Sequence, residues 1–238
     1  MNPDSYALDN LTWQEAGRLL ARDSRLLFPV GALEQHGPHL PLGTNTFLAE
    51  AVARRASNDV GILRVPAFPY GVTGDPRGRF AGTTTLRRKT LHRAVNELLA
   101  SWEDHGVSEV VVITAHRYEP HLDALLMALT SRSRTTVVDL YAVEVGDLLE
   151  AEPALEHGGE LETSLMLHLA PERVRRDQIV DFAPPPRAAR KYLRQRMPTA
   201  PAGSQGVLGR PTLATAEKGR VVFERWVAAV VGVLARKP

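Results

Sequence analysis

Apolar positions along the chain fall into two patterns, short unbroken runs and spaced stripes. Residues 26–30 (LLFPV), 61–66, 107–114 (VSEVVVIT) and 135–143 (TTVVDLYAV) are short runs bounded by polar residues, which predicts strands. The Val/Ile content of the third fits a strand buried on both faces. Between the runs, residues 48–56, 90–105 and 121–130 predict helices. In the second of these Leu91, Val95, Leu98, Leu99 and Trp102 mark one stripe, with Thr90 as its cap. A fourth helix is built on Glu162, Leu165, Met166 and Leu169. A last one begins near Thr215 and carries Val222, Trp226, Val230 and Leu234. Strands separated by helices of this length imply βα crossovers, hence an α/β fold with a mainly parallel sheet covered on both faces. In such sheets ligands collect beyond the carboxyl ends of the strands.

The length of 238 residues fits one domain, and the 44% hydrophobic content is ample for its core. Residues 181–205, with PPP, a basic run (Arg187, Arg190, Lys191, Arg194, Arg196) and PAGSQG, read as a lid or interface excursion. The absence of cysteine excludes disulfides, thiolate metal sites and cysteine nucleophiles. No apolar run reaches the roughly 18 residues of a membrane helix, and the N-terminal stretch lacks the pattern of a secretory signal, so a cytoplasmic protein without membrane partners is expected. The 29 basic and 27 acidic residues give a formal charge of +2, which points to no particular partner. The basic run reads as a solvated helix face, and no zinc-finger or RNA-binding signature supports nucleic acid. No P-loop occurs and no GxGxxG follows a strand.

Chemistry is concentrated in three clusters. In residues 31–45 (GALEQHGPHLPLGTN), Glu34 and His36 stand two apart in a loop shaped by Gly and Pro. There they can turn onto one ion; carboxylate with imidazole suits Zn, Mn or Fe. His39 is a weaker candidate. His116 follows the most apolar strand, with Arg117, Tyr118 and Glu119 beside it. Tyr118 is placed to cover a small ligand or donate a hydrogen bond. The third cluster is HGGELETS, residues 157–164, in which Glu160 can reach a metal and Glu162 can support ligating histidines from behind. Spacing alone leaves a mononuclear and a dinuclear site equally open.

These same segments resemble the creatininase family. PVGALEQHGPHLPLGT is similar to its first signature, FPYGVTG and FAGT to its PYG and FPGT segments, and HGGELETSLMLHLAPERV to its HAGExETS helix; GRPTLATAEKG also fits. The resemblance implies a three-layer αβα domain, a homo-oligomer (commonly a hexamer), and one or two divalent ions (Zn, Fe or Mn) used to hydrolyse carbon–nitrogen bonds. Carried over, it implies Glu34, His36, His116 and Glu160 as metal ligands, with Asn45 where the family has an aspartate bridging two metals. An amide is neutral and offers one good oxygen ligand, so one firm ion, or weak binding at a second position, is expected. TAHRYEP replaces the family's NGHGGN or NGHYEN, with Glu119 as a displaced stand-in. DPRGRF replaces the glutamate and histidine after PYG, with Asp75 as a candidate substitute.

The expected activity is hydrolysis of a non-peptide or cyclic amide in a small, anionic metabolite. His157, Glu119 or Glu160 would pass the proton to the leaving nitrogen, His157 foremost. Arg77, Arg79 and Arg117 would bind a carboxylate or phosphate on the substrate. Asn45 and the altered His116 segment motivate two alternatives: a catalytically inactive binding or assembly subunit, and a non-hydrolytic biosynthetic enzyme.

Overall fold

A computed structural model describes residues 5–74, 80–128, 132–151, 156–187 and 201–235. Four strands form one sheet in the order β2-β1-β3-β4: β1 (Arg25–Val30), β2 (Leu63–Arg64), β3 (Glu109–Thr114) and β4 (Arg134–Asp139). Every pairing among them is parallel. Val30 lies beside Thr114 and Thr114 beside Asp139, so β1, β3 and β4 end at one edge.

Because side chains alternate across a strand, the sheet feeds two cores. Leu26, Phe28, Val30, Val110 and Val112 point to one face, where they pack with Leu91, Val95, Leu99, Ala124 and Leu125. The latter come from α3 (Arg88–Asp104) and α4 (Glu119–Leu126), and α1 (Trp13–Arg22) adds Leu19 and Leu20. Leu27, Val111, Ile113 and Val138 point to the other face. There they meet α2 (Thr44–Val60), α5 (Glu160–Leu169) and α6 (Ala216–Ala235) around the fully buried Trp226. The three layers and the parallel sheet match the expected class.

Several boundaries differ from the sequence reading for local reasons. Helix α1 is not among the predicted helices, although Thr12 and Glu15 close a capping box at its start. Helix α3 begins at Arg88, so Thr90 lies inside it and does not cap it. Strand β4 stops at Asp139 because that carboxylate accepts from Tyr141 N and turns residues 140–142 into a 3-10 helix. Helix α2 starts earlier than expected, which moves Asn45 from a loop into the first helical turn. That start lies close against the end of β1: a Cβ on Gly31 would come within 2.4 Å of Thr46 Cα. Residues 188–200, most of the expected lid and basic run, lie outside the described residues.

Candidate metal centre and active site

The polar side chains gather at the carboxyl edge of the sheet. The loop after β1 brings Glu34 and His36, and the turn after β3 brings His116. The segment before α5 brings His157, and the first turn of α2 brings Asn45. All five are buried. Gly158 permits the approach of the α5 segment. Its φ is +59°, and a Cβ there would stand 2.9 Å from the carbonyl oxygen of His36.

Backbone carbonyls fix the imidazole tautomers. His36 Nδ1 donates to Glu34 O at 2.8 Å, leaving the Nε2 lone pair to face the site. His157 Nε2 donates to Gln35 O at 2.7 Å, which puts its lone pair on Nδ1. His116 Nε2 donates to Val72 O at 2.8 Å, which does the same for that ring. One ligand atom from each of Glu34, His36 and His157 lies within 4.8 Å of the others. A carboxylate and two imidazoles held in ligating tautomers by other groups fit a divalent Zn, Mn or Fe ion.

His36 Nε2 makes the need for a cation explicit. It faces two oxygens, Asn45 Oδ1 at 3.0 Å and Glu162 Oε1 at 3.4 Å, so the contact requires either a proton or a metal between them. Burial opposes a charge on His36, but Glu162 and Glu34 outweigh it and push its pKa up to about 9. For Glu162 burial works upward, but His36 and His157 outweigh it and hold the carboxyl well below its usual range. Glu34 is likewise lowered against burial by His116, His157 and His36. Burial lowers His157 and keeps it neutral, the form a metal ligand needs.

Asn45 fills the remaining corner. Its Nδ2 donates to Glu34 Oε2 at 3.2 Å and to His116 Nδ1 at 3.0 Å. The amide hydrogens thus cover the lone pairs through which His116 and Glu34 would hold a second cation.

Glu160 does not join the cluster. It accepts from Lys218 Nζ at 2.6 Å and from the backbone N–H groups of Glu150 and Ala151 at 2.9 Å each. Glu162 faces the centre instead, held by the Tyr141 hydroxyl and Gly158 N. Two helical residues apart are turned by roughly 200°, so one of this pair faces the site and the other faces away. Glu119 is exposed at the start of α4 and borders an outer groove, while Tyr118 borders both that groove and the inner cavity. Arg117 lies over the Tyr141 ring at 5.8 Å and lines the cavity. Arg77 and Arg79, with Asp75, fall outside the described residues. His39 pairs with Thr163 Oγ1 at 2.9 Å, apart from the cluster, and burial pushes it down to about 4.

The inner cavity is about 20 Å³, room for about one water. Glu156 and Tyr141 also line it, and neither is singled out by the sequence pattern. A signal for Tyr141 is nonetheless present: it follows β4 just as His116 follows β3. Glu156 accepts from Glu160 N, Leu161 N and Arg210 N, and burial still pushes it up to about 7.

The chain is similar to several known proteins. The sequence profile of the creatininase family, described as creatinine amidohydrolase, matches residues 9–234. The chain is 30% identical to creatinine amidohydrolase of Pseudomonas putida, over 97% of this chain and 96% of that protein. It is 32% identical to the mycofactocin precursor peptide peptidase of Mycobacterium tuberculosis H37Rv, over 93% and 88%. A solved manganese form of creatininase superposes with a TM-score of 0.80 at 26% identity, covering 96% of this chain and 97% of the other. A Zn-Zn form of a mutant creatininase also superposes at 0.80 with 26% identity, covering 96% of each chain. The chain therefore belongs to the creatininase family of amidohydrolases.

Proposed function

We propose that this protein is a metal-dependent hydrolase of a carbon–nitrogen bond in a small, anionic metabolite, the bond being a non-peptide or cyclic amide. One observation carries the reading: Glu34, His36 and His157 converge in a buried pocket, with both imidazole tautomers set by backbone carbonyls. In this reading those three hold the ion, which when bound lowers the proton affinity of water and polarises the amide carbonyl. Glu162, kept ionised and fixed by Tyr141 and Gly158, orients His36. We place His157 with the ligands and not with the proton carriers, because burial keeps it neutral. Glu156, pushed up to about 7 by burial in the same cavity, takes the proton of the attacking water and passes it to the leaving nitrogen. Arg117 supports an anionic substrate, since a guanidinium at the cavity wall pairs with carboxylate or phosphate.

A second reading, a binding or assembly subunit without catalysis, is favoured by Asn45 alone. Metal content per chain separates the two. After purification without chelators and loading with Zn, Mn or Fe, about one tightly held ion per chain is expected. His36→Ala should lower that occupancy while leaving the fold intact, and abolish turnover of small cyclic amides. No stoichiometric metal under any loading would overturn the hydrolytic reading.

A further inference from the structure

The inner cavity has room for about one water, so most of any substrate must lie outside it. A groove of about 800 Å³ borders it. The two share Tyr118, and the consecutive residues Thr73 and Gly74 line the groove and the cavity respectively. A molecule with its amide in the cavity therefore has open space leading past Tyr118.

The groove wall holds groups whose bonding is incomplete. Thr73 is only 3% exposed, yet its Oγ1 has no hydrogen-bond partner among the described residues. A buried hydroxyl left without a partner is unfavourable, so a ligand that pairs it gains. Thr73 lines the groove, so a ligand there is placed to take up that hydroxyl. Arg88 is paired with Asp123, Nη1 to Oδ2 at 3.4 Å. Arg87 and Glu119 line the same groove, and neither has an ion pair among the described residues. One unpaired cation and one unpaired anion around an orphaned hydroxyl complement a ligand that carries both charges.

We infer that this groove is a substrate subsite, and that it takes a polar arm with the ammonium and carboxylate of an amino acid. The inference rests on the proposed hydrolytic centre for the direction in which the arm leaves the cavity. Arg87 receives the carboxylate, Glu119 the ammonium, and Thr73 a hydrogen bond close to the amide.

Three probes test it: Nε-acetyllysine, 6-acetamidohexanoate, which lacks the ammonium, and N-acetylcadaverine, which lacks the carboxylate. Their dissociation constants are measured by saturation-transfer NMR on the full chain, metal-free and metal-loaded. Nε-acetyllysine should bind about three- to fivefold more tightly than either analogue, the upper part of the range of one exposed ion pair. Arg87→Ala should erase its advantage over N-acetylcadaverine, and Glu119→Gln its advantage over 6-acetamidohexanoate. Thr73→Val should weaken all three while leaving thermal stability unchanged or higher, which a merely structural hydroxyl would not do. Equal binding of the three probes, or no effect of Arg87→Ala and Glu119→Gln, would overturn the subsite. Intact probe binding in a chain that takes no metal would overturn the hydrolytic reading and leave the groove standing.

Discussion

Asn45→Asp is the most informative single change, because it exchanges an amide donor for a charge at the corner of the site. The Asn45 nitrogen sits 3.2 Å from Glu34 Oε2. With an aspartate in its place two carboxylate oxygens face each other at that separation. At an effective dielectric of about 20 their repulsion is about 5 kcal/mol. Taking up a proton limits the penalty: keeping an ordinary carboxyl of pKa about 4 neutral at pH 7 costs about 4 kcal/mol. His36, a cation without metal, faces the other side-chain oxygen at 3.0 Å and offsets part of this, so the metal-free variant should lose at most about 4 kcal/mol, or roughly 8–16 °C in Tm for a chain of this size. At pH 5 the same limit falls to about 1.4 kcal/mol, so the deficit should shrink with acid. Divalent metal should reverse it, since the introduced carboxylate would turn the amide-covered lone pairs of Glu34 and His116 into a second ligand set. Thermal melts at pH 5 and 7, with and without Mn or Zn, measure the first effect; elemental analysis measures the second, expected to rise from about one to about two ions per chain. A metal-free variant as stable as the parent, with no added metal equivalent, would refute this account of Asn45.

Metal binding should release a proton from His36, whose pKa of about 9 means it is charged at neutral pH without metal. The apparent affinity should then fall about tenfold per unit as pH drops from about 9 toward 7. Calorimetry in buffers of different ionisation enthalpy reads the proton, and a flat profile between pH 7 and 8 would exclude it. The two glutamates of α5 should separate cleanly. Glu160→Gln weakens the Lys218 contact and costs about 1.5–3 kcal/mol in urea melts with metal content unchanged. Glu162→Gln should lower metal affinity instead; the reverse assignment would show that Glu160 faces the ion. Gly158→Ala places a Cβ 2.9 Å from His36 O at a φ of +59°, so it should cost about 1–2 kcal/mol and loosen metal binding together. A stability loss without a change in metal affinity would show that this glycine serves the fold alone.

Fold class and the neighbourhood of the site were legible in the amino-acid pattern. Unbroken runs such as VVVIT at β3, alternating with stripes such as Leu91, Val95 and Leu99 in α3, establish which segments are strands and which are helices. The carboxyl-edge rule then places Glu34, His36 and His116 near one another, because parallel strands deliver their following loops to the same edge. Which atoms meet was set by packing. From HGGELETS Glu160 is expected on the metal and Glu162 behind the ligating histidines, and only the rotation of α5 about its axis sends Glu160 to Lys218 and Glu162 to His36. Asn45 reads as a loop residue in sequence, whereas the packing of α2 on Gly31 sets it between two histidines. Glu119, one residue from Tyr118, faces the outer groove because α4 begins there. Periodicity is a one-dimensional signal of local backbone geometry. The direction of a single side chain depends on how elements distant in sequence pack against one another, and the composition of its own segment does not encode that packing.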